Sequence, residues 1–220
     1  YQLPPKSDVK KSVLVIGGGP GGMSAAIAAA KRGFDVELWE KSFRLGGTLW
    51  AAGLPTFKRD VLRLITYMER QVLKLGVKVR LNTEATAEAV AAGNFDKVIL
   101  ATGSKPLMPP IEGIQTAAPA NDYLLGLKKP GKKVVVIGGG LVGCETAAYM
   151  KEFAEEVTIV EMLEDILKTA DHCLNNDQAL RAMLKERNIG VVAGAKVLKI
   201  SPNSVSYTKD GKEHTIKCDT

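Results

Sequence analysis

Cysteine is scarce in this sequence, and its few occurrences follow no pattern. Three cysteines in 220 residues, Cys144, Cys173 and Cys218, are widely spaced. They make no C-x-x-C pair, no metal-ligand pattern and no disulfide framework. Inert, buried thiols in a reducing cytoplasm are therefore expected. No apolar run approaches the ~20 residues that a membrane helix needs. Tyr1–Ser7 holds no apolar signal-peptide core, so secretion is not expected. The two histidines, His172 and His214, have no partner pattern and read as surface residues. Aromatic residues are 5% of the chain, and the net charge of +6 is spread over small groups such as Lys10-Lys11, Lys128-Lys129 and Lys132-Lys133. Without a basic stripe interleaved with aromatics, no nucleic-acid partner is expected.

Glycine, by contrast, is placed with regularity. Ser12 to Gly22 reads as a buried parallel strand, a tight turn and a helix start. Gly17, Gly19 and Gly22 fit G-x-G-x-x-G. The first permits the sharp turn, the second lets a pyrophosphate approach the backbone, and the third lets helix and strand pack closely. Free N–H groups at the helix start suit a phosphate. An alanine-rich helix over 23–32 stops at Gly33, and a strand over 36–39 ends on Glu40. Glu40 lies 23 residues after Gly17, where a carboxylate can accept hydrogen bonds from a ribose.

After Arg44-Leu45-Gly46-Gly47-Thr48, a second glycine turn, residues 57–75 show helical period. Val61, Leu64, Ile65, Met68, Val72 and Leu75 share a face, and Gly76 suits a left-handed cap. Strands are predicted over 77–81 and 97–101, the latter followed by Thr102-Gly103. A strand's carboxyl end is where open α/β sheets bind ligands. Pro106, Pro109 and Pro110 mark a linker.

From Lys132 the pattern restarts. A strand over 133–137 leads into Gly138, Gly140 and Gly143, then a helix over 144–153 and a strand over 157–160 closed by Glu161. Gly138 follows Gly17, and Glu161 follows Glu40, by the same 121 residues, so the block is an internal repeat. An amphipathic helix over 176–187 precedes short strands over 190–193, 196–201, 204–208 and 214–218, with Asp210-Gly211 as a hairpin turn. Asp219-Thr220 reads as the start of a strand equivalent to 97–101. The fold class expected is α/β: two Rossmann-like dinucleotide-binding domains with parallel sheets and a small antiparallel flap, in a truncated chain.

Two such folds in one chain resemble the two-dinucleotide-binding-domain flavoproteins, over nearly all of residues 11–220. In that superfamily the first domain holds FAD and the second NAD(P)H. Gly17, Gly19, Gly22, Ala26, Gly33 and Glu40 match its FAD signature. Disulfide reductases of the superfamily carry a redox cysteine pair after the second glycine turn. Leu49-Trp50-Ala51-Ala52-Gly53-Leu54 contains none, so thiolate chemistry of that class is excluded.

The Gly53-Leu54-Pro55-Thr56-Phe57-Lys58 stretch and the lead-in Lys10–Ile16 look most similar to the C-terminal portion of the NADH:flavin oxidoreductases related to 2,4-dienoyl-CoA reductase, enoate reductase and trimethylamine dehydrogenase. The resemblance implies an enzyme module that passes hydride from NADH to FAD, for onward transfer to an N-terminal barrel with FMN and a [4Fe–4S] cluster. That barrel and its cysteine run are absent here. In trimethylamine dehydrogenase the corresponding domain holds only ADP, so a non-catalytic ADP-binding module is the alternative. Residues 1–105 are expected to form an incomplete FAD (ADP-half) domain. Residues 106–220 are expected to form an NAD(H) domain truncated at its last strand.

The resemblance also assigns roles. Gly17, Gly19, Gly22 and Glu40 would hold the ADP half of FAD, with Arg44, Gly46 and Gly47 closing over pyrophosphate and ribose and Thr102-Gly103 on the cofactor side. Gly138, Gly140, Gly143 and Glu161 would hold NADH. Lys58 would pair with Glu145 beside flavin and nicotinamide, although its spacing from the proline differs by one. There a buried lysine would favour the reduced, anionic flavin. The alternative is a glutamate favoured by the helix dipole and a solvated lysine. Trp50 is read as a cover for the flavin or as a core residue. No metal is expected.

Overall fold

The computed structural model describes residues 5–168 and 174–220, and within it the chain divides into two compact units, Tyr1–Lys105 and Pro106–Thr220. His172 and Cys173 lie outside the described residues. Among the described residues, no helix is long and apolar enough to cross a membrane.

The first unit runs β1 (Ser12–Ile16), α1 (Pro20–Lys31), β2 (Asp35–Trp39), α2 (Leu49–Ala52), α3 (Asp60–Lys74), β3 (Lys78–Arg80), α4 (Ala87–Ala92) and β4 (Lys97–Leu100). Its sheet is parallel, in the order β3-β2-β1-β4. Val13, Leu14 and Val15 are all but sealed from solvent, as a central parallel strand with both faces in use requires. Pro20 begins α1, where its missing N–H costs no hydrogen bond. Gly22, Met23, Ala26 and Ala29 form the buried side of α1, and the small residues let it lie close to the sheet. Gly33, at φ 90°, turns the chain out of the helix.

On α3 the buried stripe is Ile65, Met68 and Val72, narrower than the periodicity suggests. Leu64 points outward at 45% exposure. The predicted helix over 57–75 is also broken at its start. Thr56–Lys58 is a 3₁₀ turn that follows Pro55, and α3 begins only at Asp60. Two short helices, α2 and α4, arise where no helix was expected. Thr86 caps α4 by accepting a hydrogen bond from Ala89 N–H at 3.2 Å.

The second unit runs α5 (Ala120–Leu124), β5 (Lys133–Ile137), α6 (Leu141–Met150), β6 (Glu156–Val160), α7 (Leu174–Glu186), β7 (Gly190–Val192), β8 (Lys196–Ser201), β9 (Ser204–Lys209) and β10 (Lys212–Lys217). β5, β6 and β7 make a parallel sheet, and β8, β9 and β10 an antiparallel one. The Asp210-Gly211 turn has φ of 51° and 73°, as a two-residue hairpin of this type demands. Val197, Ile200, Val205, Tyr207 and Cys218 pack with Val160 and Ala195 into one core. Helix α6 starts at Leu141, three residues before the predicted start, because the glycine turn itself provides the helix N-terminus. Helix α7 starts at Leu174, ahead of the expected asparagine cap. The short helix α5 was not anticipated.

Ser12–Ile16 and Lys133–Ile137, Asp35–Trp39 and Glu156–Val160 are each separated by the same 121 residues, so the repeat is one of structure as well as sequence. The first strand of each unit's parallel sheet, β1 and β5, is also pinned by an aspartate. Asp96 Oδ2 accepts from Ser12 N–H at 2.7 Å and Ser12 Oγ at 2.9 Å, holding β4 to β1. Asp219 Oδ2 accepts from the N–H groups of Lys132 at 2.7 Å and Lys133 at 2.9 Å, and Val135 N–H donates to Thr220 O at 2.8 Å. Asp219 and Thr220 thus lie against β5 as the start of β4 lies against β1.

Candidate functional site: two glycine turns and their acids

In the first unit the turn after β1 is held from three sides. Glu40 ends β2 and is 9% exposed. Its Oε2 accepts from Gly18 N–H at 2.6 Å and its Oε1 from Ser42 N–H at 2.8 Å. Burial works against ionisation of Glu40, but the backbone hydrogen bonds from Ser42 and Gly18, with the Ser42 hydroxyl and the charge of Lys41, outweigh it and hold the carboxyl below the ordinary glutamate range. Gly46 N–H donates to Gly18 O at 2.8 Å, and Leu45 packs on Gly18. A Cβ on Gly22 would sit 1.8 Å from Gly17 O, and one on Gly17 would sit 2.3 Å from Ala101 O. These glycines are fixed by the protein's own packing.

Gly19 is different. Its φ of −72° suits any residue, and a Cβ built there meets nothing within 4 Å. Gly19 is the N-cap of α1, with no side-chain cap and no acid in the first turn. An uncapped helix N-terminus beside a side-chain-sized space fits a pyrophosphate, which would take up the free N–H groups. Gly47 closes over the same point, since its Cβ would lie 3.0 Å from Gly19 Cα.

Arg44 stacks on two rings, with its guanidinium carbon 4.1 Å from the centre of Trp50 and 5.1 Å from Phe43. Trp50 Nε1 donates to Leu45 O at 2.6 Å, so the tryptophan anchors the loop. Thr102 and Gly103 are exposed beyond β4, with Gly103 at φ 72°.

The second unit repeats the arrangement. Glu161 Oε2 accepts from Gly139 N–H at 2.5 Å and Oε1 from Leu163 N–H at 2.7 Å. Leu167 N–H donates to Gly139 O at 2.7 Å, and Ile166 packs on Gly139. A Cβ on Gly143 would lie 1.9 Å from Gly138 O. Gly140 caps α6 with φ −72° and ψ −177°, again with no side-chain cap and no acid in the first turn. Every one of these partners stands 121 residues after its counterpart, down to Gly46 and Leu167.

Both glutamates therefore meet backbone N–H groups on each of their oxygens. A carboxylate has about four lone-pair positions, and one bond on each oxygen leaves room for ribose hydroxyls. The acids hold the turn in shape in addition to any contact with a ligand, a role that spacing did not reveal.

Lys58 is half-buried at the end of the 3₁₀ turn of the first unit, its N–H donating to Pro55 O at 2.8 Å. Glu145 is half-buried on α6 of the second. The thiol of Cys144 is sealed and pushed up to about 12 by burial, and burial likewise raises that of Cys218, so both are weakly reactive. Exposed His214 stacks on Tyr207 with ring centres 5.4 Å apart.

A cavity of about 690 Å³ lies along the outer edge of β5 within the second unit, an edge that Asp219 and Thr220 cover at its start, and is lined by Met108, Val134, Val136, Gly138, Thr146 and Met150 among others. Thr146 Oγ1 is buried with no hydrogen-bond partner. The corresponding edge of β1 is covered by β4 and Ala101.

The family described as pyridine nucleotide-disulphide oxidoreductase matches residues 11–220. Cinnamate reductase of Clostridium sporogenes is 41% identical over 216 residues, 98% of this chain and 32% of that protein. NADH oxidase of Thermoanaerobacter brockii is 42% identical over 219 residues, 96% of this chain and 33% of that protein. Among solved structures, a 2-naphthoyl-CoA reductase complex superposes with a TM-score of 0.92 at 36% identity, covering 100% of this chain and 33% of its own. The chain thus spans about a third of the length of these relatives.

Proposed function

Because the chain belongs to the pyridine nucleotide-disulphide oxidoreductase family, in its FAD- and NAD(P)H-binding, enoate-reductase-like branch, we propose that it is the electron-entry module of a larger reductase. The module takes hydride from NADH and delivers electrons to a further portion of the protein carrying FMN and an iron–sulfur cluster. The observation that carries this reading is the duplicated cradle: two uncapped helix N-termini, each with a glycine turn braced by a buried or half-buried glutamate.

In this reading residues 1–105 hold FAD and residues 106–220 hold NADH. Gly17, Gly19, Gly22 and Glu40 bind the ADP half of FAD. Arg44, Gly46 and Gly47 cover its pyrophosphate, and Thr102 and Gly103 line the cofactor side. Gly138, Gly140, Gly143 and Glu161 bind NADH. Lys58 and Glu145 pair beside the reacting rings, where the lysine stabilises negative charge and the glutamate orients it. When bound, the flavin would supply a two-electron acceptor for the hydride of NADH. The residues' work is to hold the two rings in contact and keep water out. The exposed apolar side chains of β4, Val98, Ile99 and Leu100, support a further segment that covers this edge of the first unit. The expected location is the cytoplasm.

The test uses the full-length protein that carries this chain. Denaturation should release FAD in addition to any FMN, and anaerobic NADH should bleach the visible flavin band. Release of ADP in place of FAD would replace this reading with that of a structural nucleotide-binding module.

A further inference from the structure

Residues 165–166, which follow β6, are held by a side chain of α7. Arg181, on α7, donates from Nε to Asp177 Oδ1 at 2.7 Å, from Nη1 to Asp165 Oδ1 at 3.1 Å and from Nη2 to Ile166 O at 2.8 Å. Its Nη2 also lies 3.0 Å from Asp165 Oδ2. The guanidinium is thus spread over two carboxylates and a carbonyl, which is the fork geometry that arginine provides and lysine does not. The same interaction holds the Asp165 carboxyl below the ordinary aspartate range.

The next residue is strained. Leu167 has φ 63°, a left-handed conformation that a bulky residue rarely adopts. It is 5% exposed, and its N–H is the one that donates to Gly139 O. In the first unit the equivalent position is Gly46 at φ 108°, and the equivalent carbonyl, Leu45 O, is held by Trp50. So the second unit keeps the same loop path without the glycine, and Arg181 takes the place of the tryptophan. A continuous set of contacts runs from Arg181 through Ile166 and Leu167 to Gly139, and from Gly139 to Glu161.

We propose that Arg181 is the positioning residue that sets the loop after β6 for NADH, and that its engagement by Asp165 and Asp177 keeps the 2′-phosphate of NADPH out. This rests on the reading of the second cradle as the NADH site. A 2′-phosphate beside Glu161 needs a cation. Among the described residues of this loop and the facing part of α7, the cations are Lys168 and Arg181. Lys168 pairs with Glu164 at 2.9 Å, and Arg181 is shared between Asp165 and Asp177. With Glu161, four carboxylates face two cations that are already engaged, and a further anion is repelled. The Arg181 side chain is 37% exposed, so its charge is open to solvent on one side.

The test measures Kd for NADH and NADPH with the full-length protein and four variants. In Asp165→Asn/Asp177→Asn the shape and one acceptor oxygen at each position persist, and Arg181 keeps its charge. The ratio of NADPH to NADH affinity should rise at least tenfold over that of the wild type. In Arg181→Met, NADH should weaken about tenfold with no gain for NADPH, and the Leu167 amide should exchange faster with solvent. Arg181→Lys should restore NADH binding only in part. An unchanged NADPH-to-NADH ratio in the double variant, or wild-type NADH affinity in Arg181→Met, overturns the proposal. Glu161→Ala separates this outcome from failure of the underlying reading. If it too leaves NADH binding intact, the second cradle is not the NADH site.

Discussion

The two units use one device on two different scaffolds. In each, a glutamate at the end of the second strand holds the middle of the glycine turn, at Gly18 and at Gly139. In each, the loop after that strand returns to the same glycine carbonyl. The differences lie around the device. The first turn is backed by β4, so Gly17 touches Ala101 O, whereas Gly138 at a nearly identical φ has open space where its Cβ would be. The first loop is flexible in sequence, with Gly46 and Gly47, and is anchored by Trp50. The second is forced through Leu167 and anchored by Arg181. In the proposed reading, what is common to both is what a dinucleotide cradle requires, and what differs bears on which nucleotide each takes.

The largest effects should come from the glycines that leave no room for a side chain. Ala at Gly22 or Gly143 would drive a Cβ to within 2 Å of a backbone oxygen, at 1.8 and 1.9 Å. Both variants should lose about 3 kcal/mol or more, near the top of the range for overpacking. Gly17→Ala should cost a similar ~3 kcal/mol, from left-handed strain plus the Ala101 contact. Gly138→Ala should cost only the strain, about 1–2 kcal/mol. Urea unfolding of the full chain measures both, and equal losses for Gly17→Ala and Gly138→Ala would erase the distinction drawn between the two turns.

Next comes nucleotide choice. With Glu161, Glu164 and Asp165 in one loop, NADH should bind at least tenfold more tightly than NADPH, a difference of only ~1.4 kcal/mol. Glu161→Ala should narrow that gap, measured as the ratio of the two Kd values. Equal wild-type affinities would show that the acid does not set the choice.

A smaller effect is expected from pH. The Glu40 carboxyl is held below its unfolded value, so its contribution is complete above that unfolded value, about 4.3, and is lost as pH falls through the folded one. Glu40→Gln should therefore lower stability at neutral pH and flatten its fall on acidification. A variant whose acid unfolding parallels that of the wild type would contradict this assignment.

Much of this was legible because strands and turns are local. The periods, the two G-x-G-x-x-G patterns and the 121-residue offset locate β1, β2, β5 and β6 and both acids from sequence alone. The remainder depends on residues far apart in sequence. Asp96 reaches Ser12, Asp219 reaches Lys132, and Arg181 reaches back to Asp165, none with a short-range signal. The offset itself held an unused clue, since it places Leu167 on Gly46 and so marks a leucine where a glycine stands in the other copy. Short helices such as α4 escaped because a six-residue alanine-rich stretch has too little period to show. Leu64 was assigned to the buried face of α3 because periodicity gives the phase of a stripe but not its width.

The central claim is that the two cradles hold different nucleotides, FAD first and NADH second. Its most direct test substitutes valine at the second glycine of each turn, Gly19→Val and Gly140→Val, in the full-length protein. Bound FAD and NADH affinity are then measured for each variant. Gly19 borders open space in the folded chain, so Gly19→Val should remain folded and lose FAD while still binding NADH. Gly140→Val should retain FAD and lose NADH. Loss of FAD from Gly140→Val with retention in Gly19→Val, or loss of both nucleotides from either folded variant, would contradict the account.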